Sequence, residues 1–259
     1  MFSASAKTVN SLKSLDRTRQ CFVLVHGSWH DGSAWDDTIL WLKRAGHKAY
    51  APTLPGHGKS TSRNVTFTDY VQSVVDYIEQ NKLKNVVLAG HSFGGAVVAK
   101  ASEALDGRVK RLVFCAPIVP QDGNAAADET PPGYADAFIE LAAQSDDNSF
   151  SLGWEQWRES FIGDAGAATA RRAFDRLVPE PLAPVLEKVD LKTFYNAGLP
   201  KSYIQFTEDI AFPPGEWAMF PRMYTRLGPC RLVSMSGSHE AMYTSPQAVA
   251  AALIKAARD

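Results

Sequence analysis

The chain predicts an α/β fold with a mainly parallel sheet, and three observations predict it. Residues 21–25 (CFVLV), 86–89 (VVLA) and 112–115 (LVFC) are short, β-rich apolar runs, each followed by glycine, proline or other small residues. Strands covered by helices on both faces look like this, because neither face has to meet water. Between them lie stretches of helical length at 34–45, 66–80 and 92–105, and such a βαβα alternation builds a parallel sheet. The same rhythm returns late, at 202–206 (SYIQF) and 231–235 (RLVSM), before a last helix over 247–257. Within the second helical stretch, Thr66 and Asp69 have the spacing of a capping box, and Tyr70, Val74, Tyr77 and Ile78 follow at helical intervals.

Bulk properties bound the answer. A chain of 259 residues, 45% hydrophobic and 21% charged, is long enough to bury about three-quarters of its unfolded surface. Its formal charge of -1 leaves no basic excess for nucleic acid or anionic membrane. No apolar run approaches the roughly 20 residues that span a bilayer. Residues 1–20 carry Lys7, Lys13, Arg17 and Arg19 without an apolar stretch, so they do not read as a secretory signal, and the expected compartment is the cytoplasm. Cys21, Cys115 and Cys230 are scattered singly and read as small buried hydrophobes.

From 120 to 200 the strand–helix rhythm breaks. Pro131, Pro132, Pro179, Pro181 and Pro184 separate short amphipathic pieces at 134–143 and 154–161, and fourteen Asp and Glu stand against six Lys and Arg. This segment reads as a cap subdomain inserted into a core made of 21–119 and 201–259.

The chemistry-bearing motifs sit at the strand ends. Gly90-His91-Ser92-Phe93-Gly94 fits G-x-S-x-G between a buried strand and a helix, with Gly95 as a further small residue. The turn between the two is too tight for side chains at its ends, so glycines flank a serine whose Oγ projects from the sheet rim, while helix amides face developing negative charge. His26-Gly27-Ser28-Trp29-His30 ends the first strand, where the Ser28 amide and the Phe93 amide are the natural oxyanion donors. Among six histidines, His239 in the loop Ser236-Gly237-Ser238-His239-Glu240 comes last in the chain, which fits the order nucleophile, acid, base. The acid is expected after 202–206: Asp209 first, Glu208 next to it, and Asp122 after the earlier strand as a fallback. Together these residues describe acyl transfer by Ser92, with His239 as base and Asp209 orienting it, needing neither cofactor nor metal. Activity should then fall below about pH 6.5, where a free histidine protonates. Aromatic residues crowd the cap, and the substrate pocket is assigned to Gly27, Trp29, His30, Phe138, Trp154, Trp157, Phe161 and Phe212.

Four blocks, at 22–35 (FVLVHGSWHDGSAW), 86–95 (VVLAGHSFGG), 203–213 (YIQFTEDIAFP) and 237–247 (GSHEAMYTSPQ), resemble the small α/β-hydrolases of the methylesterase and hydroxynitrile-lyase family. That family includes plant methyl-ester hydrolases acting on salicylate- and jasmonate-type esters. The resemblance implies a six-stranded α/β-hydrolase sheet with a helical cap after the fourth core strand, a Ser92, His239, Asp209 triad, and oxyanion amides from Ser28 and Phe93. Members of the family begin at this same first strand, so the resemblance also implies that residues 1–20 are a mobile N-terminal extension. Lyases of the family carry threonine after the first-strand histidine and lysine after the catalytic one. Here those positions are Gly27 and Glu240, and a carboxylate cannot stabilise departing cyanide, so ester hydrolysis is favoured. The expected partner is a small-molecule ester, with a homodimer as the assembly to be considered. Its rivals are cofactor-free dioxygenation of a heteroaromatic substrate, hydroxynitrile lysis, and a non-catalytic ligand receptor.

Overall fold

The computed structural model describes residues 11–12, 18–59 and 61–259. Most of the extension expected over 1–20 therefore lies outside the described residues; within it, Leu12 and Gln20 are buried.

The first half runs β1 (Cys21–Val25), α1 (Asp36–Arg44), β2 (Lys48–Tyr50), α2 (Phe67–Gln80), β3 (Val86–His91), α3 (Gly94–Ala104) and β4 (Val109–Cys115). An insertion follows, containing α4 (Tyr134–Ala143), β5 (Ser149–Phe150), α5 (Ala167–Phe174) and β6 (Glu180–Pro181), the two strands forming a small antiparallel ladder. The chain then returns through β7 (Lys201–Phe206), α6 (Met219–Arg226), β8 (Arg231–Met235) and α7 (Pro246–Ala256). The main sheet has six strands in the order β2-β1-β3-β4-β7-β8, with each neighbouring pair parallel. β1, β3 and most of β4 are buried on both faces, which is why they read as unbroken apolar runs. β8 alternates half-buried and exposed residues, as an edge strand does.

Local signals explain most boundaries. The capping box of α2 is complete: the Asp69 amide donates to Thr66 Oγ1, and the Asp69 carboxylate accepts from the Thr66 amide at 2.7 Å. α7 begins on Pro246, where a missing N–H is harmless. The expected helix over 34–45 is a short turn, Gly32–Trp35, leading into α1. The helix expected from residue 92 starts at Gly94, because Ser92 occupies the left-handed region with φ 49°. The stretch 154–161 divides into one α-turn, Trp154–Gln156, and a wider π-turn, Trp157–Phe161.

The two motif glycines let three backbones meet. A Cβ on Gly90 would lie 2.3 Å from the Gly94 carbonyl oxygen, and one on Gly94 would lie 2.5 Å from the His26 carbonyl oxygen. Neither obstacle is a side chain that could swing away. Gly90→Ala should therefore destabilise by about 3 kcal/mol or more, at the upper end for overpacking. Gly153→Ala, whose added methyl meets nothing within 4 Å, should stay within about 0.5 kcal/mol. Urea midpoints for the two variants check this; similar midpoints would contradict the close approach.

Candidate active site

β3 ends at His91, and the chain turns through Ser92 and Phe93 into α3. A non-glycine residue at positive φ is strained by about 1–3 kcal/mol, and the neighbours hold it there. The Ser92 amide donates to Cys115 O at 3.2 Å, while Ser92 O accepts from the Ile118 and Gly95 amides at 2.8 and 2.9 Å. Ser92 opens onto a cavity enclosing about 510 Å³ including its mouth, which is also lined by Ser28, Trp29, Phe93, Tyr134, Phe138, Phe150, Phe161 and Phe212. Thr130 and Gln156 add polar points, and the lining contains no charged side chain.

His239 lies in the loop after β8, and Asp209 in the turn after β7. His239 Nδ1 lies 2.8 Å from Asp209 Oδ2, while its Nε2 has no hydrogen-bond partner among the described residues although it is buried. The ring packs against His91, centroids 4.6 Å apart, and edge-on against Phe161 at 5.3 Å. Phe161, which the ring meets edge-on, lines the same cavity as Ser92. The insertion holds this loop: the Glu240 amide donates to Phe161 O at 3.1 Å, and Asp164 accepts from Ser238 Oγ at 2.5 Å and Thr244 Oγ1 at 2.8 Å.

The other five histidines have other duties. His26 accepts from the Leu54 amide at Nε2, 3.0 Å, and therefore donates through Nδ1 to Gly27 O at 2.9 Å. His47 accepts from the Gln20 amide. His57 Nε2 sits 2.8 Å from Glu180 Oε2. His30 lies between Ser28 O, 2.6 Å from Nδ1, and Glu240 Oε2, 3.2 Å from Nε2. His91 lies within 3.0 Å of the His239 carbonyl through Nε2.

Burial and charge sort the protonation states. Burial alone would lower the His239 pKa, but the Asp209 carboxylate, its hydrogen bond and Glu240 outweigh that and raise it above the usual 6.5. His91, buried and then opposed by His239, is pushed down to about 3 and is neutral; it therefore donates to the His239 carbonyl. Burial would raise Glu240, yet His30 and the other nearby histidines hold it down at about 2, and Glu240 in turn raises His30 against its own burial. His91, His239 and Glu240 bring metal-type donors within 4.8 Å of one another. His91 Nε2 is engaged with the His239 carbonyl and Glu240 with His30, so protein contacts hold this cluster together.

Of the residues expected around the site, Ser92, Ser28, Phe93, Trp29, Phe138, Phe161 and Phe212 share the cavity, and His239 and Asp209 meet. Glu208 takes Ser236 Oγ, and Asp122 accepts from the Leu191 amide, so neither fallback acid is the partner of His239. Four pocket expectations need correction. Trp157 is fully buried, stacks on Phe161 and donates from its indole to Ala170 O at 3.1 Å; it belongs to the insertion's own core. Trp154 packs on Phe174 and beneath Arg171. His30 is tied up in its ion pair. Gly27 is not in the lining; a Cβ there would lie 2.7 Å from Ser92 Cβ. The sequence reading missed His91 as a support for the His239 loop and Glu180 as a buried hub. The x position of G-x-S-x-G shows only the adjacency of His91 to Ser92, and a lone acidic residue in an acidic segment carries no signal.

A family profile described as the alpha/beta hydrolase family matches residues 22–252. A solved extracellular alpha/beta-hydrolase from a Paenibacillus species, described as sharing structural and functional homology with tobacco salicylic acid binding protein 2, is 39% identical with a TM-score of 0.90, over 93% of this chain and 100% of that one. A carbendazim hydrolyzing esterase of a Nocardioides species is 36% identical over 107 residues, 40% of this chain and 44% of the relative. A pyrethroid hydrolase of Sphingobium wenxiniae is 24% identical over 89% of this chain and 85% of its own length. The chain spans between 39% and 64% of the length of the first curated relatives it matches. No helix among the described residues is long and apolar enough to cross a membrane.

Proposed function

The chain belongs to the alpha/beta hydrolase family, and from that membership we propose that it hydrolyses a small or medium carboxylic ester through a Ser92 acyl-enzyme. His239 removes the Ser92 proton as Oγ attacks the carbonyl, Asp209 holds the imidazole, and the Ser28 and Phe93 amides receive the oxyanion. His239 then returns the proton to the leaving alcohol, and water, activated by the same imidazole, releases the acid. The observation that carries the reading is the 2.8 Å contact of His239 Nδ1 with Asp209, which leaves the buried Nε2 without a partner among the described residues. The relative described as a carbendazim hydrolyzing esterase supports it.

The cavity narrows the substrate. A lining of aromatic and aliphatic side chains with no charged group suits an uncharged, largely apolar ester, aromatic, lactone or carbamate, under the cap formed by the insertion. Lyase chemistry is disfavoured by Glu240, whose carboxylate stays ionised in the base's neighbourhood, and by the tight packing of Gly27 on Ser92. The test is a panel of esters, lactones and carbamates read by mass spectrometry for both products. Absence of any turnover, with wild-type protein that a fluorophosphonate also fails to label, would end the reading.

The electrostatics revise the pH expectation. A general base works only when unprotonated, and His239 holds its proton more tightly than a free histidine. The acid limb of kcat/KM, which reports the free enzyme, should therefore have its midpoint above 6.5, activity falling as pH drops through it. A midpoint at or below that of free histidine would contradict the Asp209 and Glu240 contributions.

A further inference from the structure

Two successive peptide groups follow β1, and the structure accounts for nearly every polar atom on them. In the Gly27–Ser28 peptide, Gly27 O accepts from His26 Nδ1 at 2.9 Å, and His26 is locked in that tautomer by the Leu54 amide at Nε2. In the Ser28–Trp29 peptide, Ser28 O accepts from His30 Nδ1 at 2.6 Å, while the Trp29 amide donates to Glu180 Oε2 at 3.1 Å. The group left over is the Ser28 amide, which donates to no protein acceptor among the described residues and belongs to a residue lining the cavity.

The restraints come from far apart in the chain. Glu180, on β6 of the insertion, is fully buried and is also bonded by Tyr70 Oη on α2 at 3.1 Å and by His57 at 2.8 Å. His30 is backed by Glu240, the residue after His239. Trp29 sits at φ 62°, a conformation that does not persist without outside support. In a trans peptide the N–H points opposite its own C=O, so holding Gly27 O inward turns the Ser28 N–H outward, and holding the next peptide at both ends prevents the turn from relaxing.

We propose that Glu180 and the His30–Glu240 pair, together with His26, are positioning residues that clamp the Ser28–Trp29 peptide from both sides and so preset the Ser28 amide to receive the oxyanion. The proposal rests on the assignment of Ser28 as an oxyanion donor given above. It gives the cap a catalytic duty, since Glu180 ties it to the oxyanion loop. It also gives a physical reason for the buried charge of Glu240, which backs the histidine that holds Ser28 O.

The experiment compares Glu180→Gln, His30→Gln and Glu240→Gln with wild type, using a p-nitrophenyl ester and a trifluoromethyl ketone whose hemiketal adduct with Ser92 carries the oxyanion. Rates are expressed per site labelled by a fluorophosphonate, which removes any loss of folded protein from the comparison. Glu180→Gln and His30→Gln should each lower kcat about 10- to 100-fold, the scale of a misplaced donor. KM should stay within about threefold, since the neutral ester makes little use of the amide. Ketone affinity should fall by the same factor as kcat, a parallel that mere loosening of the fold does not produce. Glu240→Gln, which leaves the peptide contacts in place and removes the charge that backs His30 and also raises the His239 pKa, should lose about three- to tenfold in kcat when compared at a pH above both acid limbs. If all three variants keep kcat per labelled site and ketone affinity within twofold of wild type, the clamp is wrong while the esterase reading stands. If none yields labelled protein, the groups serve the fold and the proposal is likewise lost. If wild type is neither labelled nor active on any ester, the parent reading fails first, an outcome distinct from the other two.

Discussion

Ser92→Ala should lower kcat for an ester substrate by about 10⁴- to 10⁶-fold, the range of nucleophile deletions in triads that act as one unit. The loss is large because His239 then has no hydroxyl to deprotonate, leaving only the two oxyanion amides and the cavity to assist water. Those remnants account for a residual of about 10³ to 10⁴ over the uncatalysed reaction in comparable sites. The fold should not share the loss. Alanine keeps the Cβ that already tolerates φ 49° at this position, and the backbone bonds to Cys115, Gly95 and Ile118 do not involve the hydroxyl. Thermal midpoints of the two proteins should therefore agree within a few degrees, a change of under about 1 kcal/mol. Adding Asp209→Asn to Ser92→Ala should lower the rate little further, since orienting a base matters only while there is a nucleophile to activate. Near-wild-type turnover by Ser92→Ala would remove the acyl-enzyme.

How far the sequence reaches can be argued residue by residue. Strands buried on both faces announce themselves as apolar runs, so β1, β3, β4 and β7 could be found. β2 could not, because Lys48–Tyr50 is three residues long with only Ala49 fully buried, too short for any periodicity. The turn that carries Ser92 and the last loop, which carries His239, were legible because glycine spacing and chain order encode them. Asp209 had to be chosen from two adjacent carboxylates, and what separates them is that Glu208 reaches Ser236 while Asp209 reaches His239. The pocket was half legible. Aromatic residues line cavities and fill cores with the same composition, so Phe138 and Phe161 fell on one side and Trp154 and Trp157 on the other. The supports escaped altogether. Glu180 meets Trp29 across 151 positions and His91 meets His239 across 148, and no local pattern records a hydrogen bond between residues that far apart.

Asp209→Asn isolates the orienting role, and its expected effect follows from which atoms are already taken. Asp209 Oδ1 accepts from the Ala211 amide at 3.0 Å, and Oδ2 faces His239 Nδ1 at 2.8 Å. Asparagine would keep its oxygen on the Ala211 N–H, which needs an acceptor, so its NH₂ would take the place of Oδ2. An NH₂ group can only donate there, which forces Nδ1 to become the acceptor and moves the ring proton to Nε2, the nitrogen that receives the proton of Ser92 in the proposed mechanism. A base in the wrong tautomer loses about 10⁴-fold in kcat where the same exchange has been made in a serine-protease triad, and a similar loss is expected here with KM little changed. Asp209 also supplies the largest contribution that holds the His239 pKa up against burial. The acid limb of the residual activity should accordingly move to lower pH in the variant, so that loss of rate and change of profile arise together. Glu208→Gln, altering the neighbouring carboxylate that bonds Ser236 instead, should stay within about threefold of wild type at every pH, as surface changes away from the chemistry do. A loss of tenfold or less for Asp209→Asn, or an equal loss for Glu208→Gln, would show that the imidazole takes its orientation from another group.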